Sequence, residues 1–168
     1  MVSIIVFSKG RPMQLHAYLE SLLFYSEVKQ EMITVLYCEM DGICYDRVQG
    51  EYPNVHWMKE RRFEEDLKHV LANADEYIMF GCDDVVFVRD FSLKKACDYL
   101  DTHEEVFGFS MRLGENITPC PLNDVSDVPD IFEWKWEGCT ENRYNYPWEL
   151  DCTVYRKEDV VQLTMEEE

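Results

Sequence analysis

Strand-like and helix-like patterns alternate along residues 1–113 of this chain, and this alternation restricts its fold most. Short β-branched or aromatic runs predict five strands, at residues 2–7, 33–38, 55–58 and 106–111 and in the run that begins at Tyr77. Between these runs apolar residues recur at helical spacing, as at Leu15, Leu19 and Leu22. Such alternation is typical of a mostly parallel sheet covered by helices, so the predicted fold class is α/β.

An acidic doublet, Asp83-Asp84, stands between two apolar runs, one that begins at Tyr77 and one that begins at Val85. Two adjacent carboxylates are costly in a buried strand unless they emerge at its end or meet a cation. A divalent metal site is therefore one interpretation of the doublet. The other is a solvated turn whose aspartates cap the next element.

The bulk composition indicates one globular domain with an acidic surface. The chain has 168 residues, of which 46% are hydrophobic, and only 7 are Gly and 6 are Pro. Its formal net charge of -18 opposes binding to nucleic acid or to anionic membranes, because both are negative themselves. A ligand that carries phosphate needs a positive charge here, and a metal held by carboxylates supplies it.

The cysteines and the N-terminal residues bear on the compartment. The 7 cysteines form no C-x-x-C pair and have no neighbouring His at zinc-site spacing, so we interpret them as reduced thiols. Residues 1–7 lack the basic lead and the cleavage site of a signal peptide, and no apolar run approaches the ~18 residues of a membrane span. These patterns predict a cytoplasmic protein without a transmembrane segment.

Polar turns follow three of the predicted strands. Residues 8–11 follow the first strand, residues 39–41 follow the second, and Asp83-Asp84 follow the fourth. In open α/β sheets, ligands bind beyond the carboxyl ends of the strands. We therefore expect these three segments to line one site.

The composition changes at Gly114, where a polar connection rich in Pro, Asn and Asp begins. A connection of this length is either a binding lid or a plain disordered excursion. Phe132, Trp134 and Trp136 then alternate with charged residues, which predicts a half-exposed strand whose aromatic face either stacks on a sugar or belongs to the core. A last helix is predicted from Lys157, and its acidic end suggests a sequence cut from a longer polypeptide.

In this order, the segments resemble the GT-A glycosyltransferases, particularly the family 2-like nucleotide-sugar transferases. The matching parts are residues 2–12, the acidic turn Glu39-Met40-Asp41-Gly42, and Cys82-Asp83-Asp84 as a variant of the D-x-D motif. The resemblance implies a GT-A-like three-layer α/β/α sandwich with a mostly parallel central sheet. It also implies a single domain over residues 1–168, with a nucleotide-sugar-binding half at 1–113 and an acceptor-side half at 114–168.

By this resemblance the chain is a metal-dependent, hexosyltransferase-like enzyme. It would move a sugar from a nucleoside-diphosphate donor, with a UDP-type donor favoured, to a glycan or another hydroxyl acceptor. Asp84 would coordinate Mn²⁺ or Mg²⁺, and Asp83 would face the ribose or share the metal. The other implied nucleotide contacts are Asp41 or Glu39 at a uracil-type base, and Ser8 and Arg11 along the nucleotide pocket.

An inverting transferase of this kind also needs a base that takes the proton of the acceptor hydroxyl. Two carboxylates after the variable connection are candidates, Asp151 as the first choice and Glu149 as the second. The alternative for each is a surface carboxylate without a catalytic role.

Three other functional classes are alternatives to this one. A catalytically inactive GT-A-like module that binds a sugar or a partner is favoured by the shortness of the chain. A sugar nucleotidyltransferase normally opens with a glycine-rich loop, which residues 8–11 match poorly. A receiver-type regulatory domain has its acidic pair after the first strand, where this chain has Ser8 and Lys9.

Overall fold

The computed structural model describes residues 1–112, 131–140 and 144–165, together with the backbone of residues 124–125. Most of the connection that begins at Gly114 lies outside these residues, as do Cys120 and the acidic residues 166–168. The two interpretations of the connection, a lid or an excursion, therefore both stay predictions.

Fourteen elements follow one another along the described chain. The helices are α1 (Pro12–Tyr25), α2 (Asp46–Glu51), α3 (Phe63–Asn73), α4 (Leu93–Thr102) and α5 (Lys157–Met165), with a 3₁₀ turn at Gln30–Met32. The strands are β1 (Val2–Lys9), β2 (Ile33–Cys38), β3 (His56–Lys59), β4 (Tyr77–Cys82), β5 (Gly108–Ser110), β6 (Asp124–Val125), β7 (Phe132–Glu133) and β8 (Thr153–Arg156). None of the helices in the described ranges is both long and apolar enough to cross a bilayer.

Six of the strands form one mixed sheet in the order β3-β2-β1-β4-β8-β5. β1 pairs in parallel with β2 and with β4, and β2 pairs in parallel with β3. β8 is antiparallel to both of its neighbours, β4 and β5. The prediction of a mostly parallel α/β sheet is confirmed for the strands from β1 to β4.

The antiparallel strand β8 is not among the predicted strands. A four-residue strand is too short to show a period, and its partners are supplied by β4 and β5, which lie far away in the sequence. The predicted strand at 132–136 was too long. β7 contains only Phe132 and Glu133, and Trp134 instead donates its indole N–H to the carbonyl of Tyr144.

Helices cover both faces of the sheet, which confirms the three-layer sandwich. Ile4 and Val6 of β1 pack in one apolar cluster, and Ile5 between them packs in the other, because successive side chains of a strand point to opposite faces. The first cluster includes Leu19 of α1 and also residues of α2 and α4. The second cluster includes Leu71 of α3 and also a residue of α5.

The strand order reverses at β1. From β1 the chain passes through α1 to β2 and then to β3, and α3 returns it to β4 on the other side of β1. α1 and α3 cover opposite faces of the sheet, so the crossovers on the two sides of β1 run over opposite faces. We call the space beyond the carboxyl ends of β1 and β4 the crevice. Such a switch point is where open α/β sheets bind their ligands. It places residues 8–11 beside Asp83 and Asp84.

Gly81, near the end of β4, lies directly against Tyr18 of α1. A Cβ at this position would lie 2.1 Å from the Tyr18 hydroxyl oxygen, and the Tyr18 side chain is fully buried, so the ring has no free space to move into. We expect Gly81→Ala to lower the free energy of unfolding by about 2 kcal/mol through overpacking.

The matched control is Gly50→Ala in α2, where an added Cβ would meet nothing within 4 Å. This change should be neutral or should stabilise the protein by roughly 0.5–1 kcal/mol, because alanine loses less backbone entropy than glycine in a helix. Urea unfolding of both variants measures the difference. Equal stabilities would show that Tyr18 yields to the new methyl group.

Candidate functional site

A buried hydrogen-bond chain joins the ends of β1 and β4. The Ser8 hydroxyl donates to Oδ2 of Asp83 over 2.7 Å, and both residues are buried, with 5% exposure each. An ionised carboxylate only accepts, so the single hydroxyl proton of Ser8 is used here. The Tyr45 hydroxyl, 2.8 Å from Ser8 Oγ, must therefore donate to Ser8. Hydrogen-bond donation therefore runs in one direction, from Tyr45 to Ser8 and from Ser8 to Asp83.

Arg11 completes this arrangement from the turn between β1 and α1. Its backbone N–H donates to the Tyr45 hydroxyl over 3.1 Å. Its guanidinium Nη1 lies 3.3 Å from Oδ1 of Asp83 and 3.6 Å from Oδ2 of Asp84. The turn itself is fixed by Gly10, whose φ of 64° is open to glycine at little cost and whose N–H donates to the carbonyl of Cys38.

The two aspartates of the doublet differ in their surroundings. The side chain of Asp83 is 6% exposed, whereas that of Asp84 is 61% exposed. The carboxylate of Asp83 is thus buried and held in place, whereas the carboxylate of Asp84 is exposed at the crevice. The structure places Ser8, Arg11, Asp83 and Asp84 together, as the sequence predicted.

The acidic turn after β2 lies next to this group. Met40 and Ile43 form an isolated bridge that closes the turn, and Gly42 at its tip has a φ of 76°. Glu39 forms an ion pair with Lys59 of β3, whereas Asp41 is exposed. Asp41 is therefore the freer of the two candidates for a nucleobase contact.

Glu149 is held by several partners across the sheet. One of its carboxylate oxygens accepts from the hydroxyls of Ser110 and Thr153, and the other forms an ion pair with Arg112. Its side chain is 11% exposed. A carboxylate engaged in this way orients its neighbours and has little room to approach a substrate proton.

Asp151 lies at the same edge of the sheet, two residues before β8 begins at Thr153. The Cys82 thiol interacts with Asp151 and with the doublet. Burial is the main cause that raises the pKa of Cys82 to about 12, and Asp151, Asp84 and Asp83 add to the rise. Cys152, the next residue, has a φ of 59°, a left-handed conformation that is strained for a residue other than glycine. Strained backbone of this kind concentrates at functional sites.

A shallow depression of about 490 Å³ lies at the opposite edge of the sheet. Its lining residues precede the strands or follow β8, and they are Met1, Ala74, Asp75, Glu76 and Lys157. None of the predicted site residues is among them. The crevice at the carboxyl ends, where the buried polar chain and the exposed carboxylate meet, is the candidate site.

The Tyr45 hydroxyl provides a test of this geometry. Tyr45→Phe keeps the ring, which packs 4.7 Å from that of Tyr37, but it removes one donor to Ser8 and one acceptor for the Arg11 N–H. We expect a loss of about 1–3 kcal/mol in the free energy of unfolding, because buried polar groups are left unpaired. Tyr146→Phe, which changes an exposed side chain, should have no measurable effect in the same urea titration. Two equally stable variants would contradict the network.

Sequence comparison places the chain among known proteins. It is 31% identical to the bifunctional glycosyltransferase pgtA of Dictyostelium discoideum over an alignment of 186 residues. The chain is a glycosyltransferase homologue. The alignment covers 95% of this chain and 24% of pgtA, so the chain spans about a quarter of this curated relative. No protein-family model matches the chain.

Solved glycosyltransferase structures share the fold of this homologue, which is the GT-A fold. The mannosyltransferase PcManGT from Pyrobaculum calidifontis, in complex with GDP-Man and Mn²⁺, matches with a TM-score of 0.55 and 12% identity, over 96% of this chain and 46% of its own. TarS 1–349 from S. aureus matches with a TM-score of 0.57 and 16% identity, over 93% of this chain and 47% of its own. The structure of TarS 1–349 in complex with UDP matches with a TM-score of 0.54.

The residues of this glycosyltransferase homologue fit a shared metal site. Within the described residues no group of three or more His, Cys, Asp or Glu side chains is placed to hold a metal by itself. Ions such as Mg²⁺ at phosphate sites take only one or two carboxylates from the protein, and substrate phosphates supply other ligands. The exposed carboxylate of Asp84 beside the fixed one of Asp83 matches that requirement.

Two contributors to the site, Tyr45 and Arg112, are not among the predicted site residues. Tyr45 lies in a loop before a six-residue helix, where no period marks a buried tyrosine. Arg112 is recognisable only through its pairing with Glu149, 37 positions away. Both residues act through contacts between distant segments, and a single sequence carries no signal for such contacts.

Proposed function

We propose that this chain transfers a sugar from a nucleoside-diphosphate donor to a hydroxyl acceptor with the help of a divalent cation. The observation that carries the proposal is the position of Ser8, Arg11, Asp83 and Asp84 at the switch point of the sheet. Homology to a glycosyltransferase supports the reaction class.

On the donor side, each residue has a role that follows from its surroundings. Asp84 is the exposed carboxylate that would hold the cation, and Asp83, fixed by Ser8, would face the ribose or share the cation. Asp41 accepts a hydrogen bond from the base, with a uracil-type base favoured. When bound, Mn²⁺ or Mg²⁺ neutralises diphosphate charge and stabilises the leaving group.

On the acceptor side, Asp151 is the base and Glu149 is a positioning residue. Asp151 lies at the same edge as the doublet, beside Cys82. In an inverting transfer, the acceptor hydroxyl gives its proton to an oxygen of Asp151 while the acceptor oxygen bonds to the anomeric carbon. The bond from that carbon to the diphosphate breaks, and the nucleoside diphosphate leaves with the electron pair.

The chain is shorter than the proteins that it matches, and this shapes the proposal for its domains. We assign donor binding to residues 1–113 and acceptor contacts to residues 114–168. The chain spans 24% of pgtA and under half of PcManGT and TarS, so only these coarse roles are assigned to its two halves.

Thermal-shift screening tests the donor half directly. We expect one of the uridine, guanosine, thymidine or cytidine diphosphates to raise the unfolding temperature only when Mn²⁺ is present, because a ligand that binds the folded state alone stabilises it. Uridine diphosphate is the expected ligand. If none of the four diphosphates stabilises the chain with Mn²⁺, the binding of a nucleotide-sugar donor is excluded, and a module without transferase activity becomes the better account.

A further inference from the structure

Arg11 places a positive charge between the two carboxylates of the doublet. A single nitrogen, Nη1, is 3.3 Å from an oxygen of Asp83 and 3.6 Å from an oxygen of Asp84. A cation held by the same two oxygens would lie in that same place. The guanidinium and a divalent ion therefore compete for one position.

The contact of Arg11 with Asp84 is easy to break. Both side chains are largely exposed, at 52% and 61%, and exposed ion pairs contribute only about 0–1 kcal/mol. Asp83 keeps its hydrogen bond from Ser8 when Arg11 moves away. The backbone of Arg11 stays fixed by the Tyr45 hydroxyl, so only the side chain has to move.

The charges decide where the guanidinium goes. A divalent ion at the doublet repels Arg11, while a diphosphate that arrives with the ion offers negative oxygens on the open side of the crevice. Arginine binds phosphate oxygens with a fork of donors, which suits it for this second position.

We propose that Arg11 exchanges partners during donor binding. In the free protein it neutralises the doublet, and when a divalent cation arrives with a diphosphate, its guanidinium leaves Asp84 and binds a diphosphate oxygen. This inference rests on the proposed function. The cation and the diphosphate then bind cooperatively, because each favours the same new position of Arg11.

Arg11→Gln separates the two roles, with Mn²⁺ and inorganic pyrophosphate as probes. Electron paramagnetic resonance of free Mn²⁺ measures binding of the metal alone, and equilibrium dialysis measures binding of manganese pyrophosphate. We expect the variant to bind Mn²⁺ alone about tenfold more tightly than the wild type, because a repelling charge is gone. It should bind manganese pyrophosphate about tenfold more weakly, because a charge-assisted hydrogen bond is lost.

Two further variants control this experiment. Lys29→Gln removes an exposed charge that precedes β2, toward the amino ends of the strands and away from the doublet, and it should match the wild type in both measurements. Arg11→Lys keeps the charge without the planar fork, so its affinity for Mn²⁺ alone should stay near that of the wild type while its pyrophosphate binding weakens. An Arg11→Gln variant that binds Mn²⁺ alone no more tightly than the wild type overturns the exchange. If that variant does not fold, a raised affinity of Arg11→Lys for Mn²⁺ alone overturns the exchange instead.

Failure of the proposed function gives a different pattern. In that case no nucleoside diphosphate stabilises the wild type with Mn²⁺, although Arg11→Gln still raises the affinity for Mn²⁺ alone. If a nucleoside diphosphate does bind with Mn²⁺ but Arg11→Gln leaves the Mn²⁺ affinity unchanged, the transferase proposal stands and the exchange is wrong.

Discussion

Asp84→Ala should abolish metal-dependent nucleotide binding and reduce sugar transfer about a thousandfold. The carboxylate is 61% exposed and its contact with Arg11 is 3.6 Å long, so its removal should leave the fold intact. The loss follows from the several kcal/mol by which a bound cation stabilises a leaving diphosphate, since each 1.36 kcal/mol is about tenfold in rate. Radiolabelled sugar transfer and thermal shift with Mn²⁺ measure both effects.

Asp90→Ala is the matched control for this variant. Asp90 is an exposed aspartate six positions further along the same connection, and its replacement changes the net charge by the same amount. It should keep both nucleotide binding and transfer. If Asp84→Ala retains metal-dependent stabilisation by a nucleoside diphosphate, Asp84 does not hold the cation.

Asp151→Asn should lower the turnover number by about a hundredfold to ten-thousandfold while donor binding stays unchanged. The amide keeps the shape of the carboxylate but cannot take a proton from the acceptor, and general-base catalysis contributes about that factor. Steady-state kinetics with a fixed acceptor separates kcat from KM. The thermal shift given by donor and Mn²⁺ should equal that of the wild type.

Glu149→Gln distinguishes a base from a positioning residue. It removes the ion pair with Arg112 and one charged acceptor for Ser110 and Thr153, so it should cost about 1–3 kcal/mol of folding free energy. Turnover should fall less than in Asp151→Asn. A stable Glu149→Gln variant without turnover, beside an active Asp151→Asn, would reverse the two assignments.

Much of the donor side was predictable because local patterns specify it. The alternation of strands and helices predicted β1 to β4, and in a parallel sheet this alone places residues 8–11 and Asp83-Asp84 at one edge. The contact between Ser8 and Asp83 then follows from the pairing of β1 with β4. That pairing joins segments 75 positions apart, and local patterns do not specify it.

The acceptor side was harder to predict, because β8 pairs with β4 and β5 across long sequence separations. Its insertion between them brings Asp151 beside Cys82 and brings Glu149 to Arg112. From sequence alone, Asp151 and Glu149 were both candidates for the catalytic base. Their different partners, which the sheet topology sets, support the different roles that we propose for them.

A crystal structure of the chain with uridine diphosphate and Mn²⁺ tests the central claim most directly. Anomalous scattering locates the manganese ion without ambiguity. The account predicts a manganese peak at coordination distance from an oxygen of Asp84 and from oxygens of the diphosphate, with the guanidinium of Arg11 turned toward the diphosphate. A manganese ion or a diphosphate bound away from the carboxyl ends of β1 and β4 would contradict it.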